Sequence, residues 1–301
     1  MDRIIENEAL KITVSDHGAE LSSAIDKENG NTERIWNADP SVWNRHAPIL
    51  FPFVGKVTDN TYRIEKDGEI KEYSMKTQHG FARDCEFTLQ EITDTSVTHI
   101  LTDSEETRAI YPYAFRLSVT TALDAENPRK LNITWKIDNL SDSDMYYSIG
   151  GHPGFICPIG PSEKRSDYYL DFSGKKEIHY RLLAGNSGLV DMSKEYTLTT
   201  DHGFVSIKDD MFDFDALVFD EELKVLRIAK PDKTPFVTLH FPGFSNAGIW
   251  SKPNGSFVCL EPWMGRTDNF GFTGTLKDKP FECVLSSKDS AEYQYAIEFH
   301  K

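Results

Sequence analysis

The sequence predicts an all-β protein, a large antiparallel β-sandwich. Three observations carry this: apolar residues recur with period two, polar turn signals separate the alternating runs, and helical periodicity is nearly absent. In the stretch from Phe115 to Leu123, the residues Phe115, Leu117, Val119 and Leu123 share one face against Arg116, Ser118 and Thr120. From Leu131 to Asp138 the alternation is stricter, with Leu131, Ile133, Trp135 and Ile137 opposed to Asn132, Thr134, Lys136 and Asp138. Such runs read as consecutive antiparallel strands with one buried face.

Less regular strands are expected at Ile12–Val14, Val97–Leu101, Leu217–Phe219, Val225–Ile228, Phe236–Phe241 and Tyr293–Phe299. Turn chemistry falls between them, at Asp67-Gly68, Glu28-Asn-Gly30, Asn127-Pro128 and Pro253-Asn-Gly255. The best helix candidate is Asp39–Arg45, where Asp39 caps and Pro40 takes the first helical position, for one or two turns at most.

The chain has 301 residues, longer than the roughly 100–200 of a typical single domain. No linker, low-complexity stretch or fixed repeat divides it, so residues 1–301 are expected to form one large β unit. A content of 39% hydrophobic and 12% aromatic residues supplies a sizeable core and excludes a mainly disordered chain.

Lys and Arg number 33 against 48 Asp and Glu, a net charge of −15. Nucleic acid and anionic membranes are therefore poor partners, because both require a basic face. The cysteines Cys85, Cys157, Cys259 and Cys283 stand far apart with no metal-type spacing, and read as structural thiols of a reducing compartment. With neither a signal-like start nor an apolar run near 20 residues, a soluble cytoplasmic protein is expected.

Phosphate-binding glycine loops, an HExxH zinc motif and a GxSxG nucleophile elbow are all missing from the sequence. Four other segments combine titratable residues with glycine, proline and aromatic groups. They are Ile49-Leu-Phe-Pro-Phe-Val-Gly-Lys56, Gln78-His-Gly-Phe-Ala-Arg-Asp84, Gly150-Gly-His-Pro-Gly-Phe155 and Cys259-Leu-Glu-Pro-Trp-Met-Gly-Arg266. Glycine and proline fix tight turns that hold a side chain in place, and an aromatic neighbour such as Trp263 offers an apolar wall to a sugar ring.

His79 and His152 lie in such contexts, and an imidazole can donate or accept a proton near neutral pH. Glu261 follows the apolar run Phe257-Val-Cys-Leu260, so desolvation at the end of a buried strand would raise its pKa and improve it as a base. The competing reading is a salt bridge from Glu261 to Arg266 or another cation. Asp215 sits among aromatics just before a strand, where a turn-capping role is equally natural.

In their order along the chain, these segments resemble the galactose mutarotase-like superfamily of aldose 1-epimerases, and within it a LacX-like branch. The resemblance runs from Gly18-Ala-Glu-Leu21 to the C-terminal strands. It implies a β-sandwich of the supersandwich type, with a cleft on a concave sheet face and interconversion of the α and β anomers of an aldose. Glu261 would be the general base on the anomeric hydroxyl and His152 the general acid on the ring oxygen, with His79 and Asp215 hydrogen-bonding the sugar. Relatives usually carry arginine where this sequence has Lys56, which keeps the charge but loses the planar fork. Arg83 and Arg266 are the alternative cations.

This chemistry needs no metal or other cofactor, and the expected partner is a small sugar bound by a monomer or homodimer. Two alternatives remain open: a hexose-6-phosphate mutarotase, with the three cations gathered on a phosphate, and a non-catalytic carbohydrate-binding β-sandwich.

Overall fold

The alternating runs become paired strands in the computed structural model, which describes residues 1–66, 68–253 and 255–301. Strand Phe115–Leu123 shows strict buried–intermediate alternation and pairs antiparallel with Lys130–Asn139, Leu117 opposite Ile137 and Val119 opposite Trp135. The two lie inside a nine-stranded antiparallel sheet. From one edge its order is Phe204–Ser206, Tyr169–Asp171, Val225–Ala229, Pro235–His240, Ser290–Phe299, Lys130–Asn139, Phe115–Leu123, Ser96–Thr102 and Thr88–Ile92.

A second sheet carries the functional segments. Its strands run Leu217–Phe219, Asn246–Trp250, Phe257–Met264, Ile149–Gly151 and Ile49–Leu50, and Gly154–Ile156 also pairs with Phe257–Met264. The two sheets meet face to face across a shared core that includes Trp135, Ile137, Leu239 and Ile297 from the first and Ile249, Val258 and Leu260 from the second. This is the all-β sandwich the alternation predicts.

Strand Phe257–Met264 does not alternate, because seven of its eight residues are buried. One face packs into the sandwich core, and the other is covered by Trp36, Trp43 and Trp250 at one end and Val54 and Val218 at the other. Glu261 therefore lies within the strand rather than at its end: Pro262 stays in register opposite Ala247, and the strand continues to Met264.

Two local expectations are corrected. Residues 39–45 form turns and no helix: the Asp39 carbonyl accepts from the amides of Val42 and Trp43, and its carboxylate from Ser41, without further helical bonds. The one α-helix among the described residues is Glu105–Ile110, started by a Ser104–Thr107 capping box. Two of the expected turns, Asp67-Gly68 and Pro253-Asn254-Gly255, include positions outside the described residues. All four cysteines are unpaired, Cys157 and Cys259 fully buried. No helix among the described residues is long and apolar enough to cross a membrane.

Candidate active site

The register of the second sheet assembles the centre. Gly150 pairs with Trp263 and Gly154 with Cys259, so the intervening chain runs past the middle of Phe257–Met264 with His152 opposite Glu261. The two glycines before His152 are required by close approach on both faces. A Cβ on Gly150 would lie 2.6 Å from the Trp263 ring, and one on Gly151 would lie 3.0 Å from the Tyr295 hydroxyl and 3.4 Å from Trp135. The strand thus wedges between the core and the indole, which carries His152 to its position.

His152 Nε2 stands 3.3 Å from Glu261 Oε1, and both side chains are buried. The imidazole sits in an aromatic box, its centroid 5.0 Å from Trp43, 5.5 Å from Trp250 and 5.7 Å from His79. Burial lowers its pKa to about 3, with the charges of Arg83 and Arg45 acting in the same direction. Burial, reinforced by the negative charge of Asp215, raises Glu261 well above the usual carboxylate range. Neither Glu261 oxygen has a hydrogen-bond partner. A pair in which burial disfavours charge on both members holds one proton between them.

His79 occupies a left-handed turn, φ +67°, followed by Gly80 at φ +68°. Gly80 passes so close to the Phe51 carbonyl that any Cβ there would fall 2.2 Å from its oxygen. This locks the Gln78–Phe81 turn onto the Phe51–Gly55 segment, where the Gly55 amide donates to His79 Nδ1 at 3.0 Å. With Nδ1 accepting, a neutral ring carries its proton on Nε2, and burial keeps the ring neutral by lowering its pKa well below the ordinary histidine value. His79 is thereby fixed as a hydrogen-bond donor.

His79, His152, Asp215, Glu261, Trp263 and Arg83 all line one cavity of about 250 Å³. Asp215 is held in a turn at φ +72°, and Trp263 lies flat across Gly248, where a Cβ would fall 2.3 Å from its ring. Arg83 Nη2 donates to the Gln78 carbonyl at 2.7 Å, its Nε is buried without a hydrogen-bond partner at 3.9 Å from Asp84 Oδ2, and burial beside Arg45 lowers its pKa to about 10.

Two expected cations are not brought to this cavity. Arg266 is 1% exposed and its fork is bidentate on Asp220, Nε–Oδ1 2.6 Å and Nη2–Oδ2 3.1 Å, with Nη1 on the Thr267 carbonyl and Asn269. It reaches neither the cavity nor Glu261, so the salt bridge between Glu261 and Arg266 is not formed. Lys56 contributes its backbone: its amide donates to Thr267 Oγ1 at 3.0 Å, while the aliphatic stem packs by Gly188.

Conversely, Trp43, Trp250 and Lys252 line the cavity and were not singled out from sequence. Trp43 was absorbed into a supposed helix. Trp250 and Lys252 fall where a strand ends in a turn, a position whose lone aromatic was the available signal. Among the described residues one group has metal-ligand character, His152, Cys259 and Glu261.

Fold and cavity together define a β-sandwich with a buried histidine–carboxyl pair at the wall of one cleft. Comparison with known proteins gives the family. The family model for aldose 1-epimerase matches residues 3–270, and the chain belongs to that family, whose members are isomerases acting on carbohydrates. Protein LacX of Lactococcus lactis subsp. lactis, in its plasmid form, is 32% identical over 300 residues, covering 97% of each chain. Among solved structures, a galactose mutarotase related enzyme from Lactobacillus acidophilus superposes with a TM-score of 0.90 at 31% identity, covering 100% of this chain and 98% of its own. A galactose mutarotase-like protein from Lactobacillus casei gives 0.87 at 27% identity, with both chains fully covered.

Proposed function

We propose that this protein is an aldose 1-epimerase that interconverts the α and β anomers of a free hexose by acid–base opening and reclosure of the ring. The observation that carries the reading is the 3.3 Å approach of His152 to a Glu261 carboxyl without hydrogen-bond partners, at the wall of the cavity. The anomeric hydroxyl and the ring oxygen are bonded to the same carbon. An acid and a base that serve both must therefore converge, as these two do.

In the free site burial holds the pair's one proton on Glu261, and for ring opening that proton passes to His152 as substrate binds, leaving Glu261 ionised. Glu261 takes the anomeric hydroxyl proton as the C1–O5 bond breaks, and His152 gives its proton to O5. Rotation about C1–C2 presents the other carbonyl face, and the same two transfers in reverse close the ring. Protons balance, and no electrons leave the sugar. Donation from sugar hydroxyls favours the ionised carboxylate once substrate is bound. His79 donates from Nε2 to a sugar oxygen, and Asp215 accepts from hydroxyls near the mouth. Each positioned acid or base typically contributes ~10²–10⁴-fold. A cavity of about 250 Å³ lies just below the roughly 300–1,000 Å³ usual for small-ligand sites, in keeping with a monosaccharide.

A second reading, a hexose 6-phosphate as substrate, draws support from Arg83 and Lys252 on the cavity wall. The test is exchange of α-D-glucose, α-D-galactose and α-D-glucose 6-phosphate followed by polarimetry or NMR. Faster exchange of the free sugars supports the proposal, preference for the phosphate favours the second reading, and binding without accelerated exchange refutes both and leaves a carbohydrate-binding module.

A further inference from the structure

Cys259 stands two residues before Glu261 on the same strand, so the two side chains share a face. The donor atoms of His152, Cys259 and Glu261 all lie within 4.8 Å of one another. Each side chain is more than nine-tenths buried: His152 is 7% exposed, Cys259 0% and Glu261 1%. Both Glu261 oxygens lack hydrogen-bond partners, and the His152 nitrogen that faces them is Nε2, 3.3 Å from Oε1. An imidazole, a thiol and a carboxyl with unspent coordinating capacity therefore converge beside a cavity that admits small polar molecules.

We propose that His152, Cys259 and Glu261 form a site for a thiophilic divalent cation, Zn²⁺ or Cd²⁺, and that its occupancy inhibits the enzyme by capturing the acid–base pair. The inhibition half of this rests on the function proposed above. The binding half does not.

The donor set favours such ions over Mg²⁺ or Ca²⁺, because a thiolate is soft and an imidazole suits zinc, whereas the harder ions require oxygen shells. Zinc bonds of about 2.0–2.3 Å in tetrahedral geometry place ligand atoms roughly 3.3–3.8 Å apart. The imidazole and carboxyl, at 3.3 Å, already meet this spacing. Cys259 needs a closure of up to about 1.5 Å, within reach of side-chain rotation.

As the metal–sulfur and metal–oxygen bonds form, the thiol proton and the proton held by the acid–base pair leave to solvent, and the imidazole donates its lone pair. Two anionic ligands neutralise the cation. Around them the field is mixed, with Arg83 and Arg45 acting on His152 and Asp215 on Glu261, while Arg45 is itself paired with Asp84 at 2.6 Å. Held in this way, Glu261 cannot accept the anomeric proton, nor can His152 deliver one. Inhibition is accordingly competitive with the sugar.

The competing view is that Cys259 is only a core thiol packed with Trp36 and Phe257. To decide, the chelator-treated protein is titrated with Cd²⁺ while the ultraviolet sulfur-to-cadmium charge-transfer band is recorded, alongside Cys259→Ser, Cys259→Ala and His152→Asn. Circular dichroism checks the fold of each variant. The expected result is one Cd²⁺ per chain, with a band that is lost in both Cys259 variants, weakened in His152→Asn, and displaced by Zn²⁺ but not Mg²⁺. Zn²⁺ inhibition of anomer exchange, normalised to each protein's own metal-free rate, should weaken by about tenfold or more when Cys259 is replaced. A band that persists in folded Cys259 variants, or equal Zn²⁺ inhibition with and without Cys259, overturns the site. A Cys259-dependent band in a protein without anomer exchange refutes the proposed function and leaves the metal site standing.

Discussion

Gly150→Ala is expected to damage catalysis more than stability, through a steric route set by the geometry. The new methyl would fall 2.6 Å from Trp263 Cδ1, 3.2 Å from Val54 Cγ2 and 3.3 Å from the Pro262 carbonyl, where ordinary contact begins near 3.4 Å. Trp263 must therefore retreat by about 0.8 Å, or the strand bearing His152 must shift by a similar amount. Forced packing of this kind costs ~1–3 kcal/mol, a fall of several degrees in Tm. A displacement near 1 Å in a catalytic centre costs ~10²-fold in rate. Gly30→Ala supplies the control: it stands at φ +65° with nothing within 4 Å of its Cβ, so it pays only the left-handed backbone cost of ~1–2 kcal/mol. Thermal denaturation and anomer exchange are measured on both. If the two variants lose similar stability and Gly150→Ala retains full kcat/KM, Trp263 and the paired glycines do not position the acid–base pair.

Three further outcomes are expected. The pH dependence of kcat/KM should be bell-shaped. Below its acid limb the pair holds a second proton and has no base, and above its alkaline limb it holds none and has no acid. Because burial lowers His152 to about 3, the acid limb should lie far below the ordinary histidine value of about 6.5, and an acid limb at that value would contradict the shift. Thr267→Val removes the hydroxyl that accepts from the Lys56 amide and donates to the Gly188 carbonyl at 2.7 Å, and should cost ~1–3 kcal/mol in denaturant unfolding, with a raised KM as the segment bearing Gly55 loosens. Arg266→Met leaves Asp220, about one-fifth exposed, with Asn246 Nδ2 at 3.0 Å and Arg181 Nε at 3.7 Å, so a loss below the ~3–5 kcal/mol for breaking buried pairs is expected, with KM little changed. A large rise in KM without loss of Tm would restore Arg266 to the substrate site.

How far the sequence reveals this arrangement depends on how each residue is buried. Strands with one buried face announce themselves: Phe115–Leu123 has the expected ends, and Lys130–Asn139 extends its expectation by one residue on each side. Strand Phe257–Met264 is covered on both faces, so it carries no alternation, and its extent past Pro262 could not be read. His152, Glu261, His79 and Asp215 were legible because glycines and aromatics flank them, and the close approaches at Gly80, Gly150 and Gly151 give the reason. Arg266 was misplaced because its partner Asp220 is 46 residues away, and no local pattern reports a distant bidentate pair. Trp43 reaches His152 through a turn that brings together segments more than a hundred residues apart.

The central claim is that His152 and Glu261 act as one proton-transferring unit, and α-to-β exchange of glucose and galactose in wild type, His152→Asn, Glu261→Gln and the double variant tests it most directly. Each single replacement is predicted to slow enzyme-catalysed exchange by ~10²–10⁴-fold. The double variant should be little worse than the slower single one, because removing either partner already disables the unit. Wild-type exchange rates in both correctly folded single variants would contradict the account.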